Sequence, residues 1–185
     1  MIAEASGALV KDEHYFVVFD DRKEIARIAD DLQPHDTNGL FGAAYADYGY
    51  EGITYNAAKR RFYLLVEARK HTRGCYKASI VEYDDDFRYL KDRPVDFIFS
   101  HNNKGFEAVV HLRRNNKDYL LALCEGNKCR GGTKGRKPGG GRVLLFKKKK
   151  GAGCTHALSG SRDRCHLSII QACPSMARAW RSCRK

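Results

Sequence analysis

The feature that most constrains this chain is a strand pattern that repeats and places an acidic residue at matching points each time. The first unit runs Ser6-Gly7-Ala8-Leu9-Val10, a polar turn over 11–13, then His14-Tyr15-Phe16-Val17-Val18-Phe19 ending at Asp20-Asp21, with a further strand over 24–28. The second begins Tyr50-Glu51-Gly52-Ile53-Thr54-Tyr55, turns over 56–61, and continues Phe62-Tyr63-Leu64-Leu65-Val66-Glu67. Strands over 76–83 and within 87–99 follow, separated by Asp84-Asp85-Asp86. The third begins Gly105-Phe106-Glu107-Ala108-Val109-Val110, turns over 113–117, continues from Asp118 to Glu125, and has a third strand over 142–146. Runs of four to eight residues rich in Val, Ile, Tyr, Phe and Leu between charged or glycine-bearing turns are strand signals, and no segment before residue 150 carries a 3.6-residue period.

The starts lie about 45 and 56 residues apart, the scale of a propeller blade with loop insertions. The expected fold is therefore all-β, an incomplete β-propeller of two and a half to three four-stranded blades over 1–150. The second strands are nearly continuous apolar runs, as befits strands covered on both faces by neighbours. A closed ring needs at least four blades, so an arc of this length leaves apolar faces bare at both ends, a liability for aggregation.

Charge separates the chain into two parts. Residues 1–126 hold 18 Lys and Arg against 21 Asp and Glu, a net of −3, whereas 127–185 hold 16 basic residues against Asp163 alone, a net of +15. The overall charge of +12 is thus a property of the tail, and it says nothing about the partners of the first part. From Lys147-Lys148-Lys149-Lys150 onward the alternation stops, and 151–185 is a basic tail rich in Cys, Ser and Arg. It reads as a disordered extension with a short amphipathic helix over 168–181 broken at Pro174, or as sequence from a shifted frame or an unspliced intron. The seven cysteines cannot all pair within one chain,. Those of the tail contain no CxxC, so even with His156 and His166 a structural zinc site is poorly matched. Neither a signal peptide nor a run of ~20 apolar residues is visible. The default expectation is a cytoplasmic protein without a membrane partner, extracellular if the start is incomplete.

Acids recur where chemistry would converge. Glu51 and Glu107 open inner strands; Glu67 and Glu125 close second strands, with Asp20 and Asp21 in the matching place. Innermost propeller strands line the axis, so these carboxylates are expected to face one another. They would hold Ca²⁺ through Glu67, Glu125, Asp20 and Asp21, or act as an acid and base pair through Glu51 and Glu107. The alternative is that they cap turns and accept backbone N–H bonds. The glycine-rich stretch from Gly126 to Arg142 offers Lys128 and Arg130 to a substrate anion, or is simply a solvated loop. It is no Walker A loop, since no Gly-Lys-Ser/Thr closes it. The histidines form no HxH or HxxxH pair before the tail, and no GxSxG surrounds a serine, which removes the common hydrolase motifs. Cys124 and Cys129 either form a local disulfide or remain thiols, with Cys124 packed in the core.

Taken together, Ser6-Gly7, Asp20-Asp21, Tyr50-Glu51-Gly52-Ile53, Leu64-Leu65-Val66-Glu67, Gly105-Phe106-Glu107 and Cys124-Glu125-Gly126-Asn127 resemble the phytase-like or SdiA-regulated type of β-propeller over roughly residues 6–150. Pro138 to Arg142 resembles the return strand of a eukaryotic branch of that group. Ala108 departs from the pattern, which has Gly after the acid. The resemblance implies a ring-shaped propeller, a phosphatase-like or esterase-like role on anionic substrates, and calcium. A non-enzymatic scaffold with a protein partner is the competing expectation. Nucleic-acid binding through 127–185 is a third, disfavoured because few aromatics interleave the basic residues.

Overall fold

The computed structural model describes residues 3–42, 49–70, 76–99, 105–127, 129, 133, 141–148 and 167–173. Twelve strands fall within them: β1 (Ala5–Lys11), β2 (His14–Phe19), β3 (Ile25–Ala29), β4 (Gly39–Phe41), β5 (Gly52–Asn56), β6 (Arg61–Lys70), β7 (Tyr76–Asp84), β8 (Tyr89–Pro94), β9 (Phe106–Arg114), β10 (Lys117–Asn127), β11 (Gly141–Lys148) and β12 (Leu167–Cys173). They form three antiparallel four-stranded sheets, each in simple sequence order: β1-β2-β3-β4, β5-β6-β7-β8 and β9-β10-β11-β12. The all-β class expected from the sequence is present. No helix among the described residues is long and apolar enough to cross a membrane.

Each sheet is a meander, and the first hairpin of the first and third sheets turns within two residues. Asp12-Glu13 and Asn115-Asn116 both sit at positive φ (48° and 57°, 49° and 56°). Two consecutive left-handed residues match the twist of the flanking strands, and Asn accepts this conformation readily. Glu13 is the less obvious choice, and its carbonyl is fixed by the Asp30 N–H at 3.0 Å.

The sheets stack through alternating faces of the middle one. On β6, Phe62, Leu64 and Val66 join a buried cluster with Phe16, Val18 and Ile25 of the first sheet. Tyr63 and Leu65 point the other way and join Val109, Leu120, Leu144 and Phe146 of the third. Successive strand residues project to opposite faces, so a run of five consecutive apolar residues reports two interfaces at once. Aromatic packing fills the first seam, with ring centroids 5.1 Å apart for Phe16–Phe62 and 4.7 Å for Phe62–Phe87. Such pairs add about 0.5–1.5 kcal/mol beyond the area they bury. Fully buried Tyr50 donates to Tyr83, which in turn donates to the Gly42 carbonyl, both at 2.9 Å.

Close approach of the inner strands requires small residues. A Cβ on Gly7 would stand 2.9 Å from the Gly52 Cα, and one on Gly52 would stand 3.3 Å from the Val109 nitrogen. Gly7, Gly52 and Ala108 hold the same position in the three sheets, because they pair with Val18, Leu65 and Leu123.

Two sequence expectations change here. The first unit has a fourth strand, the three-residue β4, too short to stand out as a pattern. Within the tail, the helix expected over 168–181 is replaced over Leu167–Cys173 by β12, paired antiparallel with β11 (Val143 with Cys173, Lys148 with Leu167). An open strand edge is a template for further pairing, and the β-branched Ile169 and Ile170 favour the extended form.

Candidate functional site

The start of each inner strand lies beside the end of the second strand, so both ends of the hairpin reach one rim. The bonds there repeat: the Asp20 N–H donates to the Glu4 carbonyl (3.1 Å), and the Glu125 N–H donates to the Gly105 carbonyl (3.0 Å). Asp20 and Glu125 are therefore true equivalents, as the sequence suggested. In the middle sheet the Glu51 N–H donates to the Leu65 carbonyl at 2.8 Å. The inner strands run alongside one another, with Gly52 against Val109 and Thr54 accepting from the His111 N–H at 2.9 Å.

This arrangement gathers carboxylates from all three sheets. Glu51 is half-buried, and its pKa is raised from 4.5 to about 7. Burial contributes most, followed by the negative charges of Glu107, Glu67, Asp20 and Glu125. Loss of water disfavours the charged form of a carboxyl, and each neighbouring carboxylate disfavours it further. Four of the other acids named from the sequence thus act on the fifth. Packing is close at their base as well: a Cβ on Gly105 would lie 3.4 Å from the Glu67 Cγ.

Not every expected residue takes part. Asp21 accepts from the Glu4 N–H at 3.1 Å, a capping role at the strand end. Where Glu51 and Glu107 precede the small inner-strand residue, the first sheet has Ser6, whose hydroxyl donates to the Tyr50 carbonyl across the seam. Among the described residues, no three Asp, Glu, His or Cys side chains are placed to hold one metal ion directly. Lys128 and Arg130, the expected anion contacts, lie outside the described residues. Cys124 and Cys129 are joined by a disulfide, and both are buried against the second seam.

A second polar cluster, which sequence reasoning did not assemble, occupies a cleft between the second and third sheets. Lys59, Tyr63, Glu82, His111, Asp118 and Phe146 line it. His111 Nε2 lies 3.1 Å from Asp118 Oδ1, and Lys59 pairs with the same carboxylate. Burial raises the Asp118 pKa, but the hydrogen bonds from Lys59 and His111 outweigh it and the net shift is downward. Nearby, Arg93 Nε donates to Glu82 at 3.1 Å, both side chains being buried. The sequence signal was faint: Glu82 follows the apolar Ile80-Val81 of β7, whereas Arg93 lies in a strand that already carries Lys91 and Asp92.

Three features thus define the molecule: serial antiparallel sheets, close-packed inner strands, and one acidic rim. Comparison of the chain with protein-family models, with curated proteins and with solved structures finds no match.

Proposed function

We propose that the three sheets are consecutive blades of a β-propeller, and that the carboxylates at its mouth bind a divalent cation that keeps much of its water. The reading is carried by Glu51, driven to a pKa of about 7 by burial and by acids from three sheets. Like charges held together are costly, and a cation among them relieves that cost. Because no three side chains among the described residues are spaced to share one ion, the carboxylates would act mostly through coordinated water, as is usual for Mg²⁺.

Hydrolysis of a phosphate or carboxylic ester is the activity implied by the phytase-like resemblance. What the chain itself supplies in the ion-free state is Glu51, about half protonated at neutral pH and so able to deliver a proton at the mouth, with the charge of Glu107 acting on it,. Titration of the 185-residue protein with Ca²⁺ and, separately, Mg²⁺ tests the binding. Stabilisation approaching about 2.7 kcal/mol is expected at a hundredfold excess over Kd, and it should be lost in the Glu67→Gln, Glu125→Gln double variant. No thermal shift up to ~10 mM of either ion, beyond the weakest protein calcium sites, rejects it. Turnover of p-nitrophenyl phosphate or acetate that Glu51→Gln abolishes would add the hydrolase assignment.

The bare apolar faces of the outer sheets favour a second reading, a non-enzymatic scaffold. Its expected signature is a protein partner retained by the Glu→Gln variants, with no ester turnover.

A further inference from the structure

The two seams of the molecule use the same pair of faces. The forward face of the first sheet meets the backward face of the second, and the forward face of the second meets the backward face of the third. Cross-strand pairing aligns Val18, Leu65 and Leu123 at one forward position. The first two are 0% exposed and Leu123 is 44% exposed. Val110 and Leu121, directly paired on the same face, stand where Thr54 and Tyr63 are covered in the middle sheet. At the other end, the backward face of the first sheet carries Ala8, Val10, Tyr15 and Val17, with Val10 63% exposed. Their counterparts in the second sheet, Ile53, Tyr55, Phe62 and Leu64, pack in the first seam.

Resting on the propeller reading above, we propose that the occupant of each bare face is a second copy of this chain, joined head to tail. Its Val10 face would cover the Leu123 face of the first copy and, by the two-fold, the reverse. The two bare faces are the two halves of an interface this chain already makes twice, and one copy presents both. None of the eight inner-hairpin residues named or aligned on these faces (108, 110, 121 and 123; 8, 10, 15 and 17) is charged. The close approach also fits: Ala108 would meet Gly7 of the second copy. A Cβ at that position already has 3.3–3.5 Å to the Val109 nitrogen and Ala108 Cα where the second sheet meets the third. Closure follows from count. Propellers hold four to eight blades, and with the three described sheets as blades two copies make six. Head-to-tail contacts that close give a ring, and those that do not give a filament.

Sedimentation of the full chain at a series of concentrations from about 10 nM to a maximum of about 10 µM, which is ten-thousandfold above a nanomolar Kd, tests this, because the series also resolves a Kd weakened 100-fold. The expected species is a dimer of the 21.0 kDa chain. Leu123→Asp and Val10→Asp should each weaken it by at least about 100-fold, since each buries an unpaired charge. Mixing the two variants should give a dimer held by one unmodified contact, because one variant retains the forward face and the other the backward face, while the second contact, carrying both aspartates, stays open. Circular dichroism of each variant separates lost association from lost folding. A dimer insensitive to Val10→Asp, or no rescue on mixing folded variants, overturns the head-to-tail pairing. A monomer at the highest concentration overturns the second copy as occupant and leaves the propeller reading intact. A ladder of trimers and larger species overturns six-blade closure and, with it, the propeller reading.

Discussion

Replacing Glu51 by Gln should stabilise the protein at pH 8 and leave it unchanged at pH 4. In the folded chain the carboxyl holds its proton until about pH 7, whereas the unfolded chain releases it near 4.5. Below 4.5 both states carry the proton and the group is neutral to stability. Between 4.5 and 7 only the unfolded state has released it, so folding stability falls as pH rises; above 7 the loss is constant. Without screening, a displacement of this size corresponds to about 3 kcal/mol. The carboxyl is only half-buried, and water screens the surrounding charges, so a loss of about 1–2 kcal/mol is expected. Gln cannot ionise, so it removes that loss while keeping the shape of the side chain. Urea unfolding of both proteins at pH 4, 5.5 and 8 reads the difference as a midpoint shift at constant slope. A gain of about 1–2 kcal/mol at pH 8 with none at pH 4 is the expected result. A pH-independent effect, or destabilisation at pH 8, would refute the argument.

Other consequences follow from the seams. A Cβ on Gly49 would fall 1.6 Å from the Asp20 carbonyl oxygen, so Gly49→Ala should cost at least about 3 kcal/mol, whereas Gly52→Ala, with its nearest neighbour at 3.3 Å, should cost under about 1,; equal thermal shifts would contradict the packing. Arg93→Ala leaves Glu82 buried with Lys91 at 3.6 Å as a remaining cation. A loss of about 3 kcal/mol is expected in urea, and a loss below about 1 would show the pair to be solvated. Cys129→Ser opens a five-residue loop and should cost about 2 kcal/mol, with wild type plus reductant matching it; no effect of reductant counts against the bridge.

Much of the fold was legible because covered strands write themselves as apolar runs. The expected second strand at 14–19 coincides with β2, and those at 62–67 and from 118 to 125 fall within β6 and β10. Glu51, Glu67, Glu107, Glu125 and Asp20 were legible as recurring positions, and the chain brings them into one field. Their exact division of labour was not: Asp21 differs from Asp20 by one residue, yet it caps the Glu4 N–H, while Asp20 acts on Glu51, because adjacent strand residues project in opposite directions. The Lys59–Asp118–His111 cluster joins residues from two sheets, a tertiary fact that no local spacing encodes. β4 and β12 escaped for a shared reason. Edge strands pair on one side only and need less apolar character, so their signal is weak where they lie among turns or basic sequence.

The central claim, that separate sheets deliver their carboxylates to one mouth, is tested most directly by following the Glu51 side-chain carboxyl through a pH titration by carbon-13 NMR, in the wild type and in Glu107→Gln. The account predicts a midpoint near 7 that moves down when the neighbouring charge on the third sheet is removed. A midpoint near 4.5, indifferent to residue 107, would contradict it.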